Sequence, residues 1–150
     1  MTVSAQIALD VASAGWRRRL DKLDDYQLAA LADAIGALIT DSTVNRLVNS
    51  KQGPEGETWP AWSDEYARTR HAGNSLLIGE GHMRDSIQHE VFGNRSAPAV
   101  GVGACVLQGA THQFGDEDRG IPARPFLGLS DDDRVRIEDL VIGDLSELLA

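Results

Sequence analysis

Four histidines are the side chains of this sequence best suited to bind a metal ion or to act as a general base. They are His71, His82, His89 and His112, and no two of them lie at the close spacing of a helical or finger-type metal site. Cys105 is the only cysteine, so the chain offers no pair of thiolate ligands, and its apolar surroundings in the sequence predict a packed thiol. The spacing favours ordinary surface or core histidines, and we therefore expect neither a metal nor another cofactor.

A hydrolase site can be drawn from Ser86, His112 and Asp85, but the sequence gives it little support. No Gly-x-Ser-x-Gly turn is present to expose a nucleophilic serine, and any chain of this size contains such triples by chance. A small hydrolase that uses His112 is the enzymatic alternative, and it requires that His112→Ala abolish activity while the fold is kept. We expect instead that the protein is not an enzyme.

The charge balance argues against a surface that binds nucleic acid. The 150 residues include 23 acidic and 14 basic ones, a formal net charge of −9, and such a surface repels phosphate backbones. The basic cluster from Arg17 to Arg19, with Lys22, is typical of a solvated helix face. No apolar run approaches the roughly 20 residues of a membrane span, and the N-terminus lacks a signal-peptide pattern. We therefore expect synthesis in the cytoplasm, no direct nucleic-acid recognition and no membrane contact.

The first third of the chain predicts a strand followed by helices. Apolar and polar residues alternate over residues 3–11, which favours a half-buried strand, although an Ala-rich segment of this kind also fits a helix. The clearest helix begins after an N-cap at Asp24 or Asp25 and is predicted to run to about Asn49. Gly36 within it indicates close contact with another element. The apolar stripe of this helix consists of Leu28, Leu31, Ile35, Leu38 and Ile39.

Two strands and a turn are predicted in the middle of the chain. Residues 86–92 and 99–107 have strand patterns, and the turn-rich residues 93–98 join them into an antiparallel hairpin. Gly101 and Gly103 leave one face of the second strand without side chains, which allows a ring or another backbone to approach closely.

Two tryptophans lie in an irregular segment before this hairpin. Ser63 is a suitable N-cap for a short helix directly after them. Trp59 and Trp62 need something to cover their rings, either the core of their own chain or another subunit, and we favour the core.

An extended arm is predicted over residues 121–127, after an acidic and exposed loop. Pro122 and Pro125 fix two backbone angles around Arg124, and the arm ends in apolar residues that include Phe126. A stiff segment of this kind loses little entropy when it docks.

The last element is predicted to be an amphipathic helix. Ser130 is a good N-cap, acidic residues follow it in the first turn, and Asp133 stands at the capping-box position. The stripe of this helix consists of Ile137, Leu140, Val141, Leu145 and Leu148. Residues 1–150 are thus expected to form one domain of the α+β class, a small antiparallel sheet packed with two or three helices, with the arm before the C-terminal helix.

Four motifs in a fixed order carry a resemblance to a known family. Trp59-Pro60 follows a Gly-rich loop, LIGEGHMRDS stands at 77–86, HQFG at 112–115 and IPARPFLGLS at 121–130. Together they resemble the virion morphogenesis or tail-completion family of tailed bacteriophages, which contains Mu-type G proteins and S-type tail completion proteins. The resemblance is strong from residue 53 to the C-terminus, and its most specific part is HQFG followed by PARPFL and a terminal helix.

The resemblance implies a structural protein that acts in tail completion or head-to-tail joining, similar to a tail terminator. It implies a ring of identical subunits at the neck or tail end of the virion, with a hexamer among the options. The implied neighbours are the tail tube protein and head-tail connector proteins, and synthesis would take place in the host cytoplasm.

The family motifs and the arm define the residues that we expect at assembly contacts. Arg124 is expected to anchor the arm through two contacts to a carboxylate or to backbone carbonyls, while Phe126 fills a pocket. Either contact can lie between subunits or within one subunit. The candidate residues are Trp59, Trp62, His112, Gln113, Phe114, Pro122, Arg124, Pro125 and Phe126.

A small acidic protein-binding or regulatory module, for example a toxin-antitoxin-like regulator, is the alternative from another class. It predicts a compact monomer or dimer that binds a basic partner and releases it in salt, whereas ring oligomers persist in salt.

Overall fold

The computed structural model describes residues 3–7, 18–95 and 97–148, which form a three-stranded antiparallel sheet packed against helices. This arrangement confirms the predicted α+β class. In chain order the elements are β1 (Val3–Ile7), α1 (Asp25–Asn45), a π-helical turn (Arg46–Ser50), α2 (Asp64–Arg68), α3 (His82–Asp85), β2 (Ile87–Asn94), β3 (Ala97–Ala104), α4 (Leu107–Phe114) and α5 (Asp131–Leu148).

The sheet has the strand order β1-β3-β2, so the predicted hairpin β2-β3 is confirmed and β3 lies at its centre. Its pairing runs from Ile87 opposite Ala104 to Asn94 opposite Ala97, and the turn is therefore shorter than the predicted one. Gly93, with φ of +87°, supplies a backbone conformation that other residues rarely adopt. The predicted N-terminal strand is confirmed over Val3–Ile7, and the rest of that prediction lies outside the described residues.

Helix α1 covers the inner face of the sheet. Asp24 is its N-cap and forms a capping box with Gln27, with N–H to side-chain oxygen distances of 2.7 and 3.0 Å. A Cβ at Gly36 would lie 2.4 Å from the His89 ring on β2, which confirms the predicted close contact. The apolar stripe is also confirmed, with Leu31, Ile35 and Ile39 buried and Leu28 and Leu38 partly buried.

Helix α5 packs against α1 and completes the core. The Ser130 Oγ accepts from the Asp133 N–H and the Asp133 carboxylate accepts from the Ser130 N–H, both at 3.0 Å, which confirms the predicted capping box. Ile137, Val141 and Leu145 of its stripe are buried.

On the outer face of the sheet a ring packs over Gly101, a close approach that the sequence predicted as possible. A Cβ at Gly101 would lie 3.1 Å from the Phe92 ring, so the missing side chain makes room for Phe92. The prediction of a packed thiol at Cys105 is wrong, because the residue is exposed. Strand β3 ends at Ala104, whose side chain is the last of the strand to face the core, and Cys105 follows on the solvent side.

Helix α4 was not predicted. The second strand was expected to reach residue 107, but it ends at Ala104 and a helix begins at Leu107. A Cβ at Gly109 would lie 2.8 Å from the Ala104 Cβ, so a glycine is needed where this helix crosses the end of β3. Tertiary packing therefore requires Gly109, although glycine has a low helix propensity. Because of this glycine, the sequence pattern did not indicate a helix here.

Candidate assembly surface

The arm, residues 121–127, is fixed to its own chain by Arg124. The Arg124 Nε donates to the Pro60 carbonyl at 2.7 Å and Nη2 donates to the Ala61 carbonyl at 2.9 Å. Arg124 is only 5% exposed. Of the two expected arrangements, the structure shows the contact to backbone carbonyls of the same subunit.

Helix α4 holds the arm from the other side. The Gln113 Oε1 accepts from the backbone N–H groups of Phe126 and Leu127, both at 3.0 Å. The His112 carbonyl accepts from the Arg124 N–H at 2.7 Å, which ties the backbone of the arm to the C-terminal turn of α4. Phe126 is fully buried in the core, so the arm is an internal part of the subunit.

Trp59 lies in the core, as the sequence favoured, and it also binds the arm. Its indole Nε1 donates to the Pro125 carbonyl at 2.9 Å, and the residue is 3% exposed. Trp62 is half-buried, and its ring meets Tyr66 edge-on with the centroids 5.9 Å apart. The first tryptophan is thus a core residue, while the second lies at the surface beside α2.

Arg46 is a key residue of this region that the sequence reasoning missed. It lies in the π-helical turn after α1, and its Nη1 donates to the carbonyls of Phe126 and Gly128 at 3.1 and 3.0 Å. Its Nη2 donates to the Ser42 hydroxyl at 3.1 Å and to the Asp133 carboxylate. One guanidinium thereby joins α1, the end of the arm and the cap of α5. The feature of the sequence that could have indicated this role is a single arginine within the predominantly apolar pattern of the predicted helix.

The Arg46–Asp133 ion pair is buried on both sides, with side chains 6% and 1% exposed. Burial raises the pKa of Asp133, but hydrogen bonds from Ser42 and Ser130 and the charge of Arg46 outweigh it, so the pKa lies below its usual value. Burial lowers the pKa of Arg46 despite the neighbouring carboxylate. An arginine stays protonated throughout the pH range of folded proteins, so the ionisation of the pair depends on the lowered pKa of Asp133. The pair is therefore ionised at neutral pH.

His112 does not join the side chains of a hydrolytic triad. Burial lowers its pKa, with further contributions from Arg124 and Arg119, so the ring is neutral at pH 7. The Ser86 hydroxyl donates to the Met83 carbonyl at 2.8 Å, and the Asp85 carboxylate accepts from Arg84 at 2.6 Å. Within the described residues, no group of three or more His, Cys, Asp or Glu side chains could hold a metal ion.

The exposed part of this region is an apolar stripe on α4. Leu107 is 68% exposed and Phe114 is 73% exposed, and their spacing of seven residues places them on one face of the helix. A Cβ at the adjoining Gly115 would lie 2.8 Å from the Ala123 nitrogen, so the stripe ends beside the arm. Pro122 of the arm is exposed as well. We call Leu107, Phe114 and Pro122 the α4 surface.

The nine candidate residues therefore divide into two groups. Those that hold the arm within its own chain are Trp59, His112, Gln113, Arg124, Pro125 and Phe126. Those with side chains at the surface are Trp62, Phe114 and Pro122. Leu107 is a further exposed residue that the motifs did not indicate.

Comparisons with known proteins support the family that the motifs resemble. A model of the phage virion morphogenesis family matches residues 14–146. The Mu-like prophage FluMu G protein 1 of Haemophilus influenzae is 33% identical over 102 aligned residues. The alignment covers 65% of this chain and 66% of that protein, just under two thirds of its length. No solved structure gives a significant match. No helix in the described parts of the chain is long and apolar enough to cross a membrane.

The family model covers most of the chain, and three of the motifs meet at the arm, where Trp59, Gln113 and Arg124 form the hydrogen bonds that join them. This chain therefore belongs to the phage virion morphogenesis family and has a structural or morphogenetic role in a phage particle.

Proposed function

We propose that the protein completes the phage tail or joins head to tail, by assembling into a ring at the neck or tail end of the virion. The observation that carries this proposal is the uncovered α4 surface, which lies beside the most specific motif of the family. The neighbours in the particle are further copies, the tail tube protein and head-tail connector proteins, and a hexamer is one form that the ring can take.

The internal packing of the arm supports contacts through the α4 surface. Arg124 and Phe126 are both buried and bonded or packed within their own chain, so neither is free to bind a neighbour. Leu107 and Phe114 instead present large apolar side chains to solvent, about 10 Å apart along the helix axis. Covering such side chains with another protein removes apolar area from water and stabilises a complex.

We further propose that this role involves no catalysis. His112 is the residue that an enzymatic alternative would need, and its pKa is lowered by burial while its carbonyl holds the arm. Ser86 and Asp85 bond to other groups. These contacts support structural roles for His112, Ser86 and Asp85.

The test compares Leu107→Ser and Phe114→Ser with Tyr26→Ser, a matched control that removes an aromatic residue 82% exposed on α1. Light scattering after size-exclusion chromatography measures the oligomer, and electron microscopy with purified tail tubes measures binding at tube ends. We expect both α4 variants to keep the fold and lose assembly or tube binding, while the control keeps both.

Two results would contradict the proposal. One is a wild-type chain that stays monomeric alone and with tail tubes, and that binds a basic partner only at low salt, as the acidic regulatory module predicts. The other is full assembly and tube binding by both α4 variants.

A further inference from the structure

The acidic segment between α4 and the arm is a closed loop in the structure. The Asp116 N–H donates to the Ile121 carbonyl and the Ile121 N–H donates to the Asp116 carbonyl, both at 2.8 Å. The Gly120 N–H donates to the Glu117 carbonyl at 3.1 Å, which makes a tight turn at the tip. These bonds bring the two ends of residues 116–121 together, and we call this segment the α4 loop.

Arg119 joins the α4 loop to helix α4. Its Nε donates to the Asp116 carboxylate at 2.7 Å, and its backbone N–H donates to the other oxygen of that carboxylate at 3.1 Å. Its Nη2 donates to the Thr111 hydroxyl on α4 at 3.2 Å. The side-chain hydrogen bond from Arg119 lowers the pKa of Asp116, so the carboxylate is charged at neutral pH. One side chain therefore bonds both to the start of the loop and to the helix.

The α4 loop connects the parts of the α4 surface. Phe114 lies two residues before the loop and Pro122 directly follows it, so the closed loop limits how far these two residues can separate. Thr111 lies four residues after Leu107 and three before Phe114, on the face of α4 that carries both. The bond from Arg119 to Thr111 therefore holds the loop beside that face.

We propose that Arg119 is a positioning residue for assembly: together with Asp116 it holds Phe114 and Pro122 in the arrangement that a neighbouring molecule binds. This inference rests on the proposed function, because it concerns the α4 surface that carries that function. A loop that is already closed loses little further conformational entropy when the contact forms. The side chains of Arg119 and Asp116 are 61% and 28% exposed, so their pairing contributes little to the stability of the core.

Arg119→Met and Asp116→Asn break the ion pair from its two sides and test this role. Each should weaken self-association, or binding to tail tubes, by roughly three- to tenfold, the range expected for an exposed ion pair with further hydrogen bonds. Both changes in one chain should weaken it no more than either alone, because they remove the same interaction. Arg84→Met is the matched control, since the Arg84 Nε lies 2.6 Å from the Asp85 carboxylate in a surface ion pair elsewhere. Analytical ultracentrifugation measures association.

Two further measurements distinguish positioning from a general loss of stability. Hydrogen exchange at the Ile121 amide reports whether the loop is closed, and this amide should lose protection in both variants. The midpoint of urea unfolding should change no more than in the control, because the ion pair lies at the surface.

The outcomes separate this inference from the proposed function. Weaker association and lost protection of Ile121 in both variants, with the urea midpoint of the control, support the positioning role. Association that both variants keep at the wild-type level overturns this role and leaves the proposed function intact. Weaker association in Arg119→Met alone also overturns it, because Arg119 then contacts the neighbour directly. The same holds if Ile121 stays protected or the urea midpoint falls below that of the control. A wild-type chain that assembles neither alone nor on tubes removes the proposed function and this role together.

Discussion

At the scale of single residues, Arg46 joins three parts of the molecule through one guanidinium. Its guanidinium binds the Asp133 carboxylate, the Ser42 hydroxyl and two carbonyls at the end of the arm. A buried ion pair of this kind is strongly coupled, because removing one partner leaves the other charge without compensation in a poorly solvated site.

Arg46→Met is therefore expected to lower the free energy of unfolding by about 3 to 5 kcal/mol. The methionine keeps much of the volume but leaves Asp133 charged and the Phe126 carbonyl without this donor. Urea unfolding measures the change. Arg136→Met, at an exposed position on α5, is the control and should change stability by less than about 0.5 kcal/mol. Adding Asp133→Asn to Arg46→Met should recover part of the loss, since no buried charge then remains. If Arg46→Met lowers the free energy of unfolding no more than the control does, the Arg46–Asp133 pair contributes little to stability.

At the scale of elements, the arm is an internal connection between α4, α1 and α5. Gln113 binds two of its backbone N–H groups, Trp59 binds the Pro125 carbonyl, and Arg46 binds its last carbonyls. The two prolines leave the arm with fewer N–H groups to satisfy. Gln113 accepts from those of Phe126 and Leu127, and the His112 carbonyl accepts from that of Arg124. The stiffness that the sequence predicted is used to hold Phe126 in the core.

Gln113→Met should weaken this connection. The change keeps the length of the side chain but leaves the N–H groups of Phe126 and Leu127 without an acceptor, at a cost of roughly 1 to 3 kcal/mol for each buried group. Gln108→Met on the same helix is the matched control, because Gln108 is exposed. Hydrogen exchange reports the effect locally: the amides of Phe126 and Leu127 should lose protection in Gln113→Met alone. Unchanged protection would mean that Gln113 does not hold the arm.

At the scale of the whole molecule, a modest core is combined with exposed apolar surfaces. Aromatic residues make up 5% of the chain, and the core is built mainly from aliphatic side chains of α1, α5 and the sheet. Assembly stabilises a folded subunit by mass action, because neighbours bind the folded state only.

The melting temperature should therefore rise with protein concentration if the proposed ring forms. A roughly hundredfold excess of concentration over the dissociation constant corresponds to about 2.7 kcal/mol for a single binding site. Differential scanning calorimetry across that range measures the rise, which should be much smaller in Phe114→Ser and unchanged in Tyr26→Ser. A wild-type melting temperature that is independent of concentration would argue against assembly through this surface.

Local sequence patterns determined most of the elements and the family. The caps at Asp24 and Ser130 and the stripes of α1 and α5 depend on neighbours in sequence or on a regular repeat, so the sequence displays them directly. The motifs around the arm likewise stood in a recognisable order, and the family model confirms the family that they predicted.

Only the tertiary structure decided which motif residues face inward. Phe126 and Phe114 are both aromatic residues of the motifs, but one is fully buried and the other is 73% exposed. The Arg46 network joins residues that lie 80 and 87 positions apart in the chain. Such contacts depend on where distant segments meet, and residue spacing along a single segment does not show which other segment it will contact.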